Sequence, residues 1–97
     1  MRQYGHADAT QAPIVAALRG LGYGVVNLSL LGQGIPDLLV ASPDGRRLWL
    51  IEVKDAQGKN RVNPAQQRFA AKFPAPVHVV RSVEDVLRVV GLEVEGV

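Results

Sequence analysis

The chain has 97 residues, a length that supports one small domain around a single core. Hydrophobic residues make up 47% of it and charged residues 21%, which excludes a disordered chain, and the absence of cysteine excludes disulfides, thiolate metal sites and cysteine catalysis. The net charge of +2 is too small to indicate a polyanionic partner by itself, so the positions of the basic residues matter more than their sum.

The predicted elements begin after a lead-in over residues 1–7. A first helix is expected from Asp8, with Thr10 as its N-cap and Pro13 tolerated in its first turn. The glycine-rich sequence GLGYG then ends this helix. The apolar residues that recur at helical spacing are Ile14, Val15, Leu18 and Leu21.

Three strands are expected next. The first covers residues 25–31 and the second residues 35–42, with a proline at its start where a missing N–H is tolerated. The sequence PDG at 43–45 is a turn signal, so the third strand, residues 46–54, should return antiparallel as a hairpin.

The rest of the chain predicts a helix, a strand and a helix. The second helix begins at Asn63 as N-cap and runs to about Phe73, after the polar sequence DAQGKNRV. A strand is expected over residues 77–81, and Ser82 caps a last helix that Gly91 closes, followed by a frayed tail over residues 92–97. The order is α-β-β-β-α-β-α, an α/β arrangement in which helices flank one mixed sheet within a single domain, residues 1–97.

Three polar residues lie where a core would be expected. Side chains alternate along a strand, so Glu52 and Lys54 point the same way, and the hairpin brings Asp37 back towards them. Two carboxylates favour Mg²⁺ or Mn²⁺, with the carbonyl of Val53 as a further oxygen ligand. Such an ion activates water for phosphodiester hydrolysis, and Lys54 can orient that water or stabilise the developing charge.

The same residues resemble a known family. The pair Pro36–Asp37 followed by Glu52–Lys54 resembles the PD-(D/E)xK nuclease motif. The stretches GIPDLLV, LWLIEVKD, NPAQQRF and VHVVRSVEDVL more closely resemble the small stand-alone VRR-NUC-type nucleases of phages and prophages, over residues 8–91. The resemblance implies a restriction-endonuclease-like core and divalent-metal-dependent cleavage of branched or flapped DNA, such as Holliday junctions, by a homodimer.

The resemblance also implies roles for individual residues. Asp37 and Glu52 become metal ligands, Lys54 the catalytic lysine, and Gln66 a residue that positions the water or a phosphate. A capping role at the third helical position would also explain Gln66. Many such nucleases carry a further glutamate on the first helix, whereas the segment DATQAPIVAALRGLG has none. Either Gln11 substitutes through its carbonyl oxygen, or the site binds one ion with fewer protein ligands.

The remaining expectations concern partners. Lys59 and Arg61 in a flexible loop, together with Arg68, are candidates to bind DNA phosphates. The apolar residues offered for a homodimer interface are Leu28, Leu30, Leu31 and Trp49. No stretch resembles a signal peptide or reaches membrane-spanning length, so a cytoplasmic protein without a membrane partner is expected, inside a bacterial host if phage-encoded.

Three alternatives compete with the DNA endonuclease. The polar residues could form an ordinary Glu–Lys pair on a solvated strand, because a bare PD…ExK match is a short pattern. A catalytically weak DNA-binding or assembly module could keep the nuclease fold, which the missing glutamate favours. A small nuclease that acts on RNA is the third alternative.

Overall fold

A computed structural model of the chain describes residues 5–55 and 63–91. Its element order is the predicted one, and the α/β class is confirmed. The elements are α1 (Gly5–Gly20), β1 (Gly24–Asn27), a 3₁₀ turn (Ser29–Leu31), β2 (Leu38–Ala41), β3 (Leu48–Val53), α2 (Pro64–Lys72), β4 (Val77–Val80) and α3 (Val83–Val89).

The four strands form one mixed sheet in the order β1-β2-β3-β4. Strand β2 is antiparallel to β1 and to β3, and the turn signal at residues 43–45 predicted its pairing with β3. Strands β3 and β4 are parallel. Helices α1 and α3 pack together and against this sheet. They bury one of its faces in the hydrophobic core, which consists of Ile14, Leu18, Leu38, Val40, Trp49, Ile51, Val53, Val80, Val86 and Val90. Trp49, offered above as an interface residue, is only 7% exposed and belongs to this core.

The start of the first helix differs from the prediction. The helix begins at Gly5, so part of the expected lead-in is helical, Thr10 is an interior residue and Pro13 lies in the third turn. Ala7 and Ala9 are the two residues with a high helix propensity in the stretch from Gly5 to Thr10. Pro13 removes one backbone hydrogen bond but keeps a helical φ angle, so the helix continues through it.

The first strand is also shorter than predicted. It ends at Asn27, and the following residues turn away from the sheet instead of extending to residue 31. The side-chain Oδ1 of Asn27 accepts the backbone N–H of Ser29 at 2.8 Å, a local bond that competes with strand pairing. The backbone N–H of Leu28 still donates to the carbonyl of Asp37 at 2.7 Å. This turn therefore places Ser29 beside the start of β2.

The helix caps follow the sequence. Asn63 accepts the backbone N–H of Ala65 at 2.8 Å, and Ser82 accepts that of Asp85 at 3.1 Å, as their positions predict. The carboxylate of Asp85 accepts the backbone N–H of Arg81 at 2.8 Å. In a capping box this carboxylate would accept the N–H of the N-cap residue, Ser82, which is one residue later.

The second face of the sheet is open to solvent over much of its area. Strand alternation puts Leu39, Leu48 and Leu50 on this face, opposite the core residues. The exposed apolar side chains of the same face are Val26, Leu48, Val77 and Val79. None of the helices within the described ranges is long and apolar enough to span a membrane.

Candidate active site

Asp37 is held between two elements at the start of β2. Its Oδ2 accepts the backbone N–H of Val53 at 2.8 Å, which ties the aspartate to the end of β3. Its Oδ1 accepts the hydroxyl of Ser29 at 3.4 Å, from the 3₁₀ turn. The sequence predicted the approach to β3 but gave no role to Ser29, because that contact depends on the unpredicted turn after Asn27.

Glu52, Lys54 and Gln66 form the second half of the group. The Oε2 of Glu52 lies 3.5 Å from the Nζ of Lys54, in an ion pair whose side chains are 13% and 26% exposed respectively. The same Oε2 accepts the Nε2 of Gln66 at 2.9 Å. Because Asn63 supplies the side-chain cap of α2, the Gln66 side chain is directed to Glu52. The structure thus brings the four sequence-predicted residues to one end of β2 and β3.

The electrostatics of this group are unfavourable without a cation. Burial raises the pKa of Asp37, against hydrogen bonds from Val53 and Ser29 and the nearby charge of Lys54. Burial also raises the pKa of Glu52, and the neighbouring charge of Asp37 raises it further, against Lys54 and Gln66. Two partly desolvated carboxylates, one of which disfavours the ionisation of the other, fit a divalent cation, which would neutralise both.

A further oxygen ligand is available because of Pro36. The register pairs Leu38 with Ile51, so its continuation by two residues sets Pro36 opposite Val53. Proline has no N–H to donate across this position, and the N–H of Val53 is taken by Asp37. The Val53 carbonyl points to the same side of the strand as the Val53 N–H, towards Pro36. Since Pro36 has no N–H to donate to it, this carbonyl oxygen is available to a metal ion.

Gly34 is a site-forming residue that the sequence analysis missed. Its φ is +77°, and a β-carbon there would overlap the carbonyl of Ala65 and approach the N–H of Gln66. The loop before Asp37 therefore touches the first turn of α2 backbone to backbone. The signal in the sequence was this glycine, two residues before the proline–aspartate pair. Glycine tolerates both a positive φ and the close approach of another backbone.

The other sequence-predicted residues lie outside this group. Gln11 is buried on α1, and no hydrogen bond joins its side chain to Asp37 or Glu52 within the described ranges. Arg68 is exposed on α2. Lys59 and Arg61 fall outside the described residues. Among residues 5–55 and 63–91, no three Asp, Glu, His or Cys side chains cluster as a metal site. The acidic ligands of the candidate site are therefore the carboxylates of Asp37 and Glu52.

A mixed sheet with this acid–acid–lysine group at the junction of two antiparallel strands defines the class of PD-(D/E)xK nucleases. A solved structure of a VRR-NUC domain is similar to this chain, with 33% sequence identity and a TM-score of 0.66. The match covers 92% of this chain and 98% of that one. No family model and no curated protein matched the sequence.

The chain therefore belongs to the VRR-NUC family, as its motifs predicted. Membership makes it a nuclease domain of the PD-(D/E)xK type, a hydrolase whose fold implies DNA binding and, in general, a divalent metal.

Proposed function

We propose that this chain is a cytoplasmic, single-domain, Mg²⁺-dependent endonuclease that cleaves branched or flapped DNA, Holliday junctions included, with Mn²⁺ as an alternative ion. The observation that carries the proposal is the convergence of Asp37, Glu52, Lys54 and Gln66 through an ion pair and short hydrogen bonds. An ordinary solvated Glu–Lys pair would not be desolvated beside a second carboxylate.

Each residue has a separate task in the proposed mechanism. Asp37, Glu52 and the Val53 carbonyl would hold the ion, which would supply an activated water and positive charge opposite the phosphate. Gln66 fixes the orientation of the Glu52 carboxylate, because its amide donates to Oε2. Lys54 places its ammonium beside the same carboxylate, where it can stabilise the charge that develops on the phosphate oxygens.

The absence of a glutamate on α1 leaves two ways to complete the site. Gln11 could offer its carbonyl oxygen, or the ion could have fewer protein ligands. We favour fewer protein ligands, because the Gln11 side chain lines a groove beside β1 and makes no hydrogen bond to the Asp37–Glu52 group within the described residues. Waters can fill the remaining positions, as is usual for Mg²⁺.

The proposed function is tested by cleavage of a four-way junction, a flap, single-stranded DNA, linear duplex DNA and an RNA strand, each with Mg²⁺ or Mn²⁺. The wild-type protein is expected to cut the branched DNAs fastest. Lys54→Ala should lower the rate by about 10²- to 10³-fold, the usual effect of removing one transition-state donor. Arg88→Ala, which removes a positive charge from an exposed side chain on α3, is the matched control and should cut like wild type.

Two outcomes would redirect the assignment. Binding of DNA without cleavage of any substrate under either ion would favour the catalytically weak binding module. Preferential cleavage of the RNA strand would replace the DNA endonuclease with an RNA-acting enzyme.

A homodimer is the proposed assembly, and the open sheet face is the surface that supports it. This face carries exposed apolar side chains and lies beside the candidate site, because Glu52 follows Leu48 and Leu50 on the same side of β3. Solvent contact with such a face is unfavourable, and self-association would relieve it.

Leu48→Lys is expected to convert the dimer into a monomer, because Leu48 is 66% exposed on this face, at the start of β3. The matched control is Leu30→Lys, at an 88% exposed position on the 3₁₀ turn. Light scattering after size-exclusion chromatography measures both masses. A monomer from the Leu30 variant and a dimer from the Leu48 variant would move the interface to the turn.

A further inference from the structure

A groove of about 330 Å³ lies between α1 and the edge strand β1. Small apolar side chains and three polar side chains with N–H donors line it. The described residues that line it include no Asp or Glu. They are Gln11, Ala12, Val15, Ala16, Arg19 and Asn27.

The donors around this groove have spare hydrogen-bonding capacity. Gln11 is only 6% exposed, yet its amide makes no hydrogen bond within the described part of the chain. A buried amide of this kind is unfavourable unless water or a ligand satisfies it, and it is therefore free to bind a ligand that displaces water. The Nη2 of Arg19 donates to the carbonyl of Val25 at 3.0 Å, which leaves other guanidinium N–H groups for a ligand. Asn27 uses its Oδ1 as an acceptor, and its amide N–H groups have no acceptor among the described residues.

The groove is joined to the candidate site through one residue. The backbone N–H of Ser29 donates to Oδ1 of Asn27 at 2.8 Å, and the hydroxyl of Ser29 donates to Oδ1 of Asp37 at 3.4 Å. In the sheet, Asn27 is paired with Leu38, the residue after Asp37. The polar end of the groove is thus one strand away from the aspartate.

We propose that this groove binds a backbone phosphate of DNA near the phosphate that is cleaved. A site whose described lining holds one guanidinium, two amides and no carboxylate suits a phosphate diester. The small alanine side chains of the lining let a sugar–phosphate approach α1 closely. The inference rests on the proposed function, since it assigns a second contact to the same substrate.

The test measures binding of a fluorescein-labelled four-way junction and a labelled duplex by anisotropy at several NaCl concentrations with Mg²⁺. The Lys54→Ala background is used because its slower cutting leaves the DNA intact during the measurement. Asn27→Asp keeps the oxygen that accepts the Ser29 N–H but replaces two donors with a negative charge. This substitution should weaken DNA binding about tenfold. It should also make the slope of log affinity against log salt concentration shallower by the equivalent of about one phosphate contact. Arg88→Gln lowers the net charge by the same amount away from the groove and should change affinity by about twofold at most.

Gln11→Leu gives the second, uncharged test. It removes the buried amide without repelling the ion at Asp37, and it should weaken DNA binding while the melting temperature stays equal or rises. The groove proposal is overturned if Asn27→Asp binds both DNAs as tightly as Arg88→Gln at every salt concentration. The proposed nuclease function is tested separately, by the cleavage assay on the protein that keeps Lys54. A lack of cleavage in that assay would contradict the nuclease function and would leave the binding test of the groove unaffected.

Discussion

Glu52→Gln is expected to abolish cleavage and, in the same protein, to stabilise the metal-free fold. Cleavage should fall by about 10³-fold or more, because a neutral amide is a poor ligand for Mg²⁺. The metal-free melting temperature at neutral pH should rise by a few degrees, because the substitution removes a carboxylate whose ionisation is opposed by burial and by Asp37. The new amide can still accept the hydrogen bond of Gln66.

The pH dependence of stability follows from the direction of the shifts. The pKa values of Asp37 and Glu52 are raised in the folded chain, so the folded state holds protons that the unfolded chain has already released. Metal-free stability should therefore decrease as the pH rises through the window from the unfolded to the raised folded pKa values, and then level off. Glu52→Gln removes its share of this decrease, so the melting temperature should vary less as the pH rises above the ordinary carboxylate range, near about pH 4.

Added metal reverses the ranking of the two proteins. Mg²⁺ or Mn²⁺ binds the folded state and should raise the melting temperature of wild type but not that of Glu52→Gln. The control is Glu84→Gln, the same change in the exposed first turn of α3. It should leave cleavage intact and slightly lower the melting temperature, because an acidic residue near a helix N-terminus is stabilising. A metal-free Glu52→Gln protein that melts at or below the wild-type temperature at neutral pH would contradict this account.

The sequence predicted the elements that local rules determine. The turn signal and the two-residue period of the strands placed Glu52 and Lys54 on one side and brought Asp37 back to them, which the contacts with Val53 and Oε2 of Glu52 now show. The cap of α2 was equally local, because the Asn63 side chain accepts backbone N–H groups only two and three residues later in the chain.

The features that the sequence analysis missed depend on contacts between distant segments. The strand that was expected to reach residue 31 stops because the side chain of Asn27 captures a backbone N–H, and only the hairpin then brings Ser29 to Asp37. The sequence left Trp49 as either a core or an interface residue. Its pairing with Val40 on the α1 side of the sheet buries it.

Gly34→Ala is expected to separate the loop that carries Asp37 from the helix that carries Gln66. The added β-carbon would overlap the Ala65 carbonyl, and both groups are backbone, so neither can rotate away. The φ of +77° adds its own cost for any residue with a side chain. The free energy of unfolding should therefore fall by about 3 kcal/mol or more, read from urea denaturation.

The matched control for this substitution is Gly45→Ala. Gly45 also has a positive φ, +74°, but no atom lies within 4 Å of its would-be β-carbon. It should lose only the backbone term of about 1 kcal/mol. A folded fraction of Gly34→Ala should also cut DNA more slowly than Gly45→Ala, because a displaced α2 withdraws the Gln66 amide that holds Glu52. Equal losses of stability in the two alanine variants would mean that this backbone contact does not hold α2 against the site.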